Sequence, residues 1–416
     1  VFGANLQQDN FLGTGKQIGV GFNRSKYLMD LRFSYVDPYF TEDGVSRGFS
    51  IYHRKAELSK INLANYTTST TGGNMSFGYP LSETERLTFS VGAARTRIDA
   101  GYATPLEIVA SPRPLKSVDN YYDATSATTD GVTTYTLSDP KPLDPSYLYT
   151  QDEIYANGWG PGFLDRYGNT FTEFTFTTAW VQSTLNRGQL ATRGHSQSVA
   201  LELAVPSSDL EYYKLTYNGQ LFVPLTDSFT LRLHTELGYG DGYGNVDQLP
   251  FYLNFFAGGY SSVRGFQSSS LGPRGTPAWI YRTTYDASGT VGYERIDGAN
   301  RYDIYSADSI QRSQPIGGNV MVTGSMELLF PLPFVKDQRS LRTALFVDSG
   351  QVYSTNCSAS QVNCYNVDFS KLVYSAGFGL TWITGMGPLT FSIAKPIRDS
   401  QYDRTEFFQF SIGTGF

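Results

Sequence analysis

Apolar and polar residues alternate one for one over much of the chain. At the C-terminal end Phe408, Phe410, Ile412, Thr414 and Phe416 share one face of an extended strand, and Gln409, Ser411, Gly413 and Gly415 share the other. Leu372, Tyr374, Ala376, Phe378, Leu380 and Trp382 alternate in the same way with Val373, Ser375, Gly377, Gly379 and Thr381. Leu231, Leu233, Leu237 and Tyr239 do so with Arg232, His234, Glu236 and Gly238. A period of two predicts strands with one apolar and one polar face. The apolar face is heavily aromatic and recurs on nearly every segment, which suits lipid on one side and water or polar filling on the other.

A soluble β-sandwich also alternates, so the connections must decide. With the C-terminus placed on the periplasmic side, as is usual for a barrel, connections near 384–387, 331–340, 224–228, 185–194, 81–85, 37–44 and 10–14 fall on that side. Those near 350–370, 240–318, 101–170 and 57–71 fall on the other. Every very long connection is then extracellular, as outer-membrane barrels require. The fold expected is all-β, an antiparallel transmembrane β-barrel of about fifteen strands. Single-chain bacterial barrels have an even number. Residues 1–416 are therefore expected to be one barrel domain, about sixteen strands when complete, with the first strand and any preceding domains missing.

Composition agrees with this class. Of 416 residues only 17% are charged while 15% are aromatic, mean hydropathy is -0.28, and no apolar run is long enough for a transmembrane helix. The net charge of -6 comes without a basic block, so no nucleic-acid partner is expected. The chain opens on Val1 with neither Met nor a basic leader, as in a mature fragment or a trimmed chain. Cys357 and Cys364, the only cysteines, lie in a polar stretch between two strand-like segments. They fit a local disulfide in an oxidising compartment, closing a small loop and constraining little else.

No phosphate loop, His-Glu-x-x-His or Gly-x-Ser-x-Gly motif is present, and His53, His195 and His234 are scattered. His234, between Arg232 and Glu236 on a polar face, reads as part of a structural lumen network. No enzyme, cofactor or metal is expected.

One segment is specific. Gly258-Gly259-Tyr260-Ser261-Ser262-Val263-Arg264-Gly265-Phe266-Gln267 lies deep in the longest extracellular connection, ahead of the fifth strand from the C-terminus. It resembles the Val-Arg-Gly-Phe/Tyr loop of the BamA family of outer-membrane assembly factors. The surroundings are similar in order: Gln8-Asp9-Asn10-Phe11-Leu12-Gly13-Thr14-Gly15, Asp37-Pro38-Tyr39-Phe40, Gly238-Tyr239-Gly240-Asp241-Gly242 and Pro250-Phe251-Tyr252. The likeness runs along nearly the whole chain and is weakest over 101–170.

The resemblance implies that the loop folds into the lumen and that Arg264 packs against acidic residues of the wall, at positions matching Glu327 and Asp348. Alternation independently points both carboxylates inward, since Glu327 lies opposite the Met326/Leu328 face and Asp348 opposite the Leu345/Val347 face. A partly desolvated guanidinium offers a planar fork to carboxylates, and Gly265 would let the chain turn beside it. Arg264 then either holds the loop in place or also sets assembly activity through barrel stability.

The resemblance further implies a lateral seam between the first and last strands. The last strand carries Phe408, Phe410, Ile412, Gly413, Gly415 and Phe416, and the two glycines either weaken pairing or leave room for the loop. Insertion and folding of β-barrel proteins into the bacterial outer membrane is the function implied. Its partners would be unfolded outer-membrane proteins as clients, accessory lipoproteins reached through POTRA domains, and the lipid bilayer. A two-partner-secretion or autotransporter-assembly transporter, or a passive porin, is the alternative.

Overall fold

Strands with one lipid-facing side can satisfy their backbone polar groups only by pairing edge to edge, and this chain pairs them in sequence order. The computed structural model describes residues 2–25, 27–57, 66–100, 104–105, 107–108, 124–129, 132–137, 161–188, 190–276, 281–285, 291–295, 314–332, 340–357, 361–384 and 387–412. The first run of strands is β1 (Phe2–Gln8), β2 (Gln17–Arg24), β3 (Leu28–Asp37), β4 (Ser46–Glu57), β5 (Tyr66–Pro80) and β6 (Glu85–Ala100). After a separate hairpin, β7 (Ala124–Thr129) and β8 (Val132–Leu137), come β9 (Thr170–Ser183), β10 (Gly194–Ala204), β11 (Tyr212–Pro224) and β12 (Thr230–Gly242). A second hairpin, β13 (Tyr281–Tyr285) and β14 (Val291–Arg295), precedes β15 (Val320–Phe330), β16 (Leu341–Tyr353), β17 (Val373–Thr384), β18 (Gly387–Arg398) and β19 (Phe408–Ile412).

All but the two hairpins form one 15-stranded antiparallel sheet, ordered from β1 to β19. Among the described residues β1 and β19 are its two edges and do not pair with each other. Thirteen register pairs join β11 to β12, and among the described residues seven join β1 to β2 and five join β18 to β19.

Burial is inverted relative to a soluble sheet. On β16 Leu345 and Val347 are exposed while Phe346 and Asp348 are buried. On β19 Phe408 and Phe410 are 53% and 52% exposed while Gln409 is 5% exposed. Apolar residues outside and polar residues inside are what lipid imposes on a barrel whose lumen is filled by protein.

The filling comes from both ends. At the long-loop end Tyr66, Ile98, Phe163, Phe171, Leu210, Val246 and Phe251 form an apolar cap, joined by a short helix at Phe163–Tyr167. At the other end the β9–β10 turn folds inward, so that Ala191 packs with the lumen-facing Phe222, Leu329 and Ala344. Arg342 Nη2 donates to the Ala191 carbonyl at 2.9 Å.

Two expectations change. The connection placed at 57–71 is shorter, because β5 already begins at Tyr66, whose ring is drawn into the cap against Phe251. The long connections also contain the two hairpins. β7 and β8 pair antiparallel in register from Ala124 with Leu137 to Thr129 with Val132.

Candidate functional site

The β12–β15 connection enters the lumen and is held at several points along its path. Tyr252 donates its hydroxyl proton to Glu173 on β9, and Lys214 Nζ on β11 donates to the Leu253 carbonyl at 2.8 Å. The tip follows. Val263 and Phe266, both fully buried, pack with Ala257, Leu271, Val352 and Val373 as an apolar plug.

Between them Arg264 turns toward β15 and β16. Its Nε donates to Asp348 Oδ2 at 2.7 Å and its Nη2 to Asp348 Oδ1 at 2.8 Å, a bidentate pair, while its backbone N–H donates to Oδ2 at 3.0 Å. Nη2 also donates to Glu327 Oε1 at 2.6 Å and to Ser325 Oγ at 3.0 Å. Glu327 is shared: its Oε2 accepts from Arg232 Nη1 at 3.1 Å. Two guanidinium groups and two carboxylates thus balance within one buried cluster.

Burial pushes the Arg264 guanidinium down, but the hydrogen bonds and charges of Asp348 and Glu327 raise it above its ordinary value on balance. Such a cluster contributes little net stability compared with a packed apolar core, yet removing one member leaves an uncompensated buried charge.

The guanidinium also lies over the Phe346 ring, 3.5 Å from Cζ to the centroid. That ring lies flat because Gly377 faces it across the β16–β17 ladder; a Cβ there would meet Phe346 Cζ at 2.7 Å. Gly265 has φ +88, and a Cβ on it would approach Ala394 and Ser375 at 3.2 Å. Ser375 donates its hydroxyl to the Arg264 carbonyl. It sits where the β17–β18 register slips and Pro396, lacking an N–H, faces it.

The far side of the tip is joined to the β18–β19 connection by backbone. Gln267 N–H donates to the Arg404 carbonyl at 2.8 Å, and Glu406 N–H donates to the Gly265 carbonyl at 2.9 Å. Further along, the fully buried Arg274 donates from Nη2 to the carbonyls of Ser270 and Tyr402 at 2.8 and 2.6 Å. The Cys357–Cys364 disulfide closes the loop carrying Asn363, whose Nδ2 donates to the Gly272 carbonyl at 2.9 Å and to Asp403 Oδ1 at 3.3 Å. The small loop therefore bridges two others, against the expectation that it constrains little else.

Val263, Arg264, Gly265, Phe266, Glu327 and Asp348 are thus brought together. Phe408 and Phe410 point away from them to the lipid face, Ile412 pairs with Leu389, and Gly413, Gly415 and Phe416 lie outside the described residues. Arg232, Ser325 and Phe346 belong to the cluster although no motif marks them. Ser325 and Phe346 each lie two positions from a named carboxylate on the same strand face, a signal within reach of the alternation pattern.

The model of the Omp85 superfamily domain matches residues 10–416. The outer membrane protein assembly factor BamA of Neisseria meningitidis is 31% identical over 434 residues, covering 100% of this chain and 45% of that protein. The chain therefore spans less than half the length of this curated relative. The crystal structure of BamA from Haemophilus ducreyi lacking POTRA domains 1–3 superposes with a TM-score of 0.68 at 26% identity, covering 98% of this chain and 66% of that one. CdiB from Escherichia coli shares the fold, with a TM-score of 0.50 at 12% identity over 98% of this chain and 57% of its own.

Proposed function

The chain belongs to the Omp85 superfamily and is an outer-membrane β-barrel, and from that premise we propose that it inserts and folds other β-barrel proteins in that membrane, without covalent catalysis. The observation that carries this reading is the lumen loop, tied at one tip both to the wall through Arg264 and to the segment leading into an edge strand. An edge with free N–H and C=O groups is a template for another strand. A client strand pairing there would be pulled in by its own folding, since closing a sheet in lipid satisfies every backbone polar group.

Among the described residues β1 and β19 are the two unpaired edges of the sheet, which supports a seam at these two strands, with the adjacent bilayer thinned by a short apolar belt. A passive porin fits poorly with a lumen crossed by the loop from one end and by the Ala191 turn from the other. POTRA domains and accessory lipoproteins as partners complete the reading by resemblance.

Proteoliposomes containing the protein should accelerate folding of an unfolded client barrel several-fold over empty liposomes. Sugar permeation without such acceleration would indicate a pore instead, and transport of a soluble passenger would indicate a secretion transporter.

A further inference from the structure

One side chain of the last strand reproduces what a neighbouring strand's peptide group would offer the loop tip. Gln409 faces inward on β19, where its Oε1 accepts from the Gly265 N–H at 3.3 Å and its Nε2 donates to the Phe266 carbonyl at 2.6 Å. A primary amide has the donor and acceptor this requires. Its orientation is fixed by Glu406, whose Oε2 accepts from the same Nε2 at 3.1 Å. A flipped amide would set a donor against the Gly265 N–H and an acceptor against both a carbonyl and a carboxylate.

The neighbouring chain extends this pairing, with Phe266 and Thr405 forming an antiparallel bridge. Gly265–Gln267 therefore pairs its peptide groups with the segment that leads into β19. Arg264 is covalently next to it, so releasing the guanidinium from Asp348 must disturb the peptide groups that Gln409 holds.

We propose that Gln409 is a positioning residue that couples the Arg264 anchor to the pairing of the last strand. While Arg264 is seated, Gln409 holds β19 against the loop; when Arg264 is released, β19 loses that support and frays from its edge. The coupling belongs to this chain alone, while its use in client insertion rests on the assembly reading above. Coupling of this kind is reciprocal, which makes it measurable from both ends.

Hydrogen exchange on the barrel in liposomes, for the parent, Gln409→Met, Arg264→Ala and the double variant, tests it. Methionine keeps the length of glutamine and removes both amide functions. Gln409→Met should raise exchange over 265–267 and 408–412 on the order of tenfold and leave β11–β12 unchanged. Arg264→Ala should raise exchange over 408–412 in the parent and add nothing in the Gln409→Met background. Fully additive effects, or unchanged exchange over 408–412 in Gln409→Met, overturn the coupling. If Arg264→Ala fails to fold, Asp348→Asn weakens the same anchor in its place.

Client folding is read separately in the same liposomes. Slower folding with Gln409→Met supports the link to assembly, and an unchanged rate despite raised exchange overturns that link. If the parent gives no acceleration, the assembly reading fails while the exchange cycle still decides the coupling.

Discussion

The tip of the lumen loop is gripped from two sides by different chemistry. On the β15–β16 side the grip is ionic and concentrated: Arg264 alone reaches Asp348, Glu327 and Ser325. On the β18–β19 side it is distributed over backbone bonds from 265–267 to 404–406, the carbonyls held by Arg274, and the Asn363 bridge. A concentrated ionic grip loses everything with one substitution, because the remaining charges stay buried. A distributed grip loses a fraction at a time. The first therefore decides whether the loop stays seated, and the second decides which strand feels it.

The largest expected effect breaks the ionic side. Arg264→Ala leaves Asp348 buried without a cation and should cost about 3–5 kcal/mol, read as a lower denaturant midpoint of the liposome-embedded barrel. A loss below about 1 kcal/mol would mean that the distributed side alone holds the loop. Within the cluster, Asp348→Asn should cost about 2–3 kcal/mol and Glu327→Gln less. Asp348 accepts three bonds from Arg264, whereas Arg264 keeps its bidentate partner when Glu327 is neutralised. Equal losses, or the reverse order, would show that the Arg232–Glu327 pair matters more than this geometry implies.

Legibility in the sequence follows the same division. Lipid favours apolar residues at outward positions, so alternation around Leu345–Val347 and Met326–Leu328 is enough to place Asp348 and Glu327 in the lumen. Arg264 is legible through a motif, as a charged residue in a loop that resembles a family. The partner surfaces on the other side are mostly peptide N–H and C=O groups of residues 402–406, which no residue type advertises. Asn363, in a loop closed by a disulfide, gives no sign that it reaches Gly272 and Asp403. Phe346 breaks the lipid-out rule by sitting in the lumen, where only the space beside Gly377 explains it.

A smaller change tests where the two sides meet. Gly265 lies between the anchor and the Phe266–Thr405 bridge, and Gly265→Ala combines the strain of φ +88 with contacts of 3.2 Å to Ala394 and Ser375. A cost of about 1–2 kcal/mol is expected, with raised hydrogen exchange over both 264–267 and 404–406. Exchange raised on one side only would show that the two grips are independent.

The smallest expected effect is a response of the distributed side to pH. Burial pushes the Asp403 carboxyl above its ordinary value and Asp399 adds to this, outweighing the Ser400 N–H, the Arg274 charge and the Asn363 amide, which favour the anion. A carboxyl whose value is higher folded than unfolded binds its proton more tightly in the native joint. The stabilisation from that proton is complete below the unfolded value and is lost as pH rises through the folded one. Acidification from neutral should therefore tighten the joint, raising protection of the 402–406 amides after correction for intrinsic exchange. Asp403→Asn should abolish the response. A response of opposite sign, or one that survives in Asp403→Asn, would place the titrating group elsewhere than Asp403.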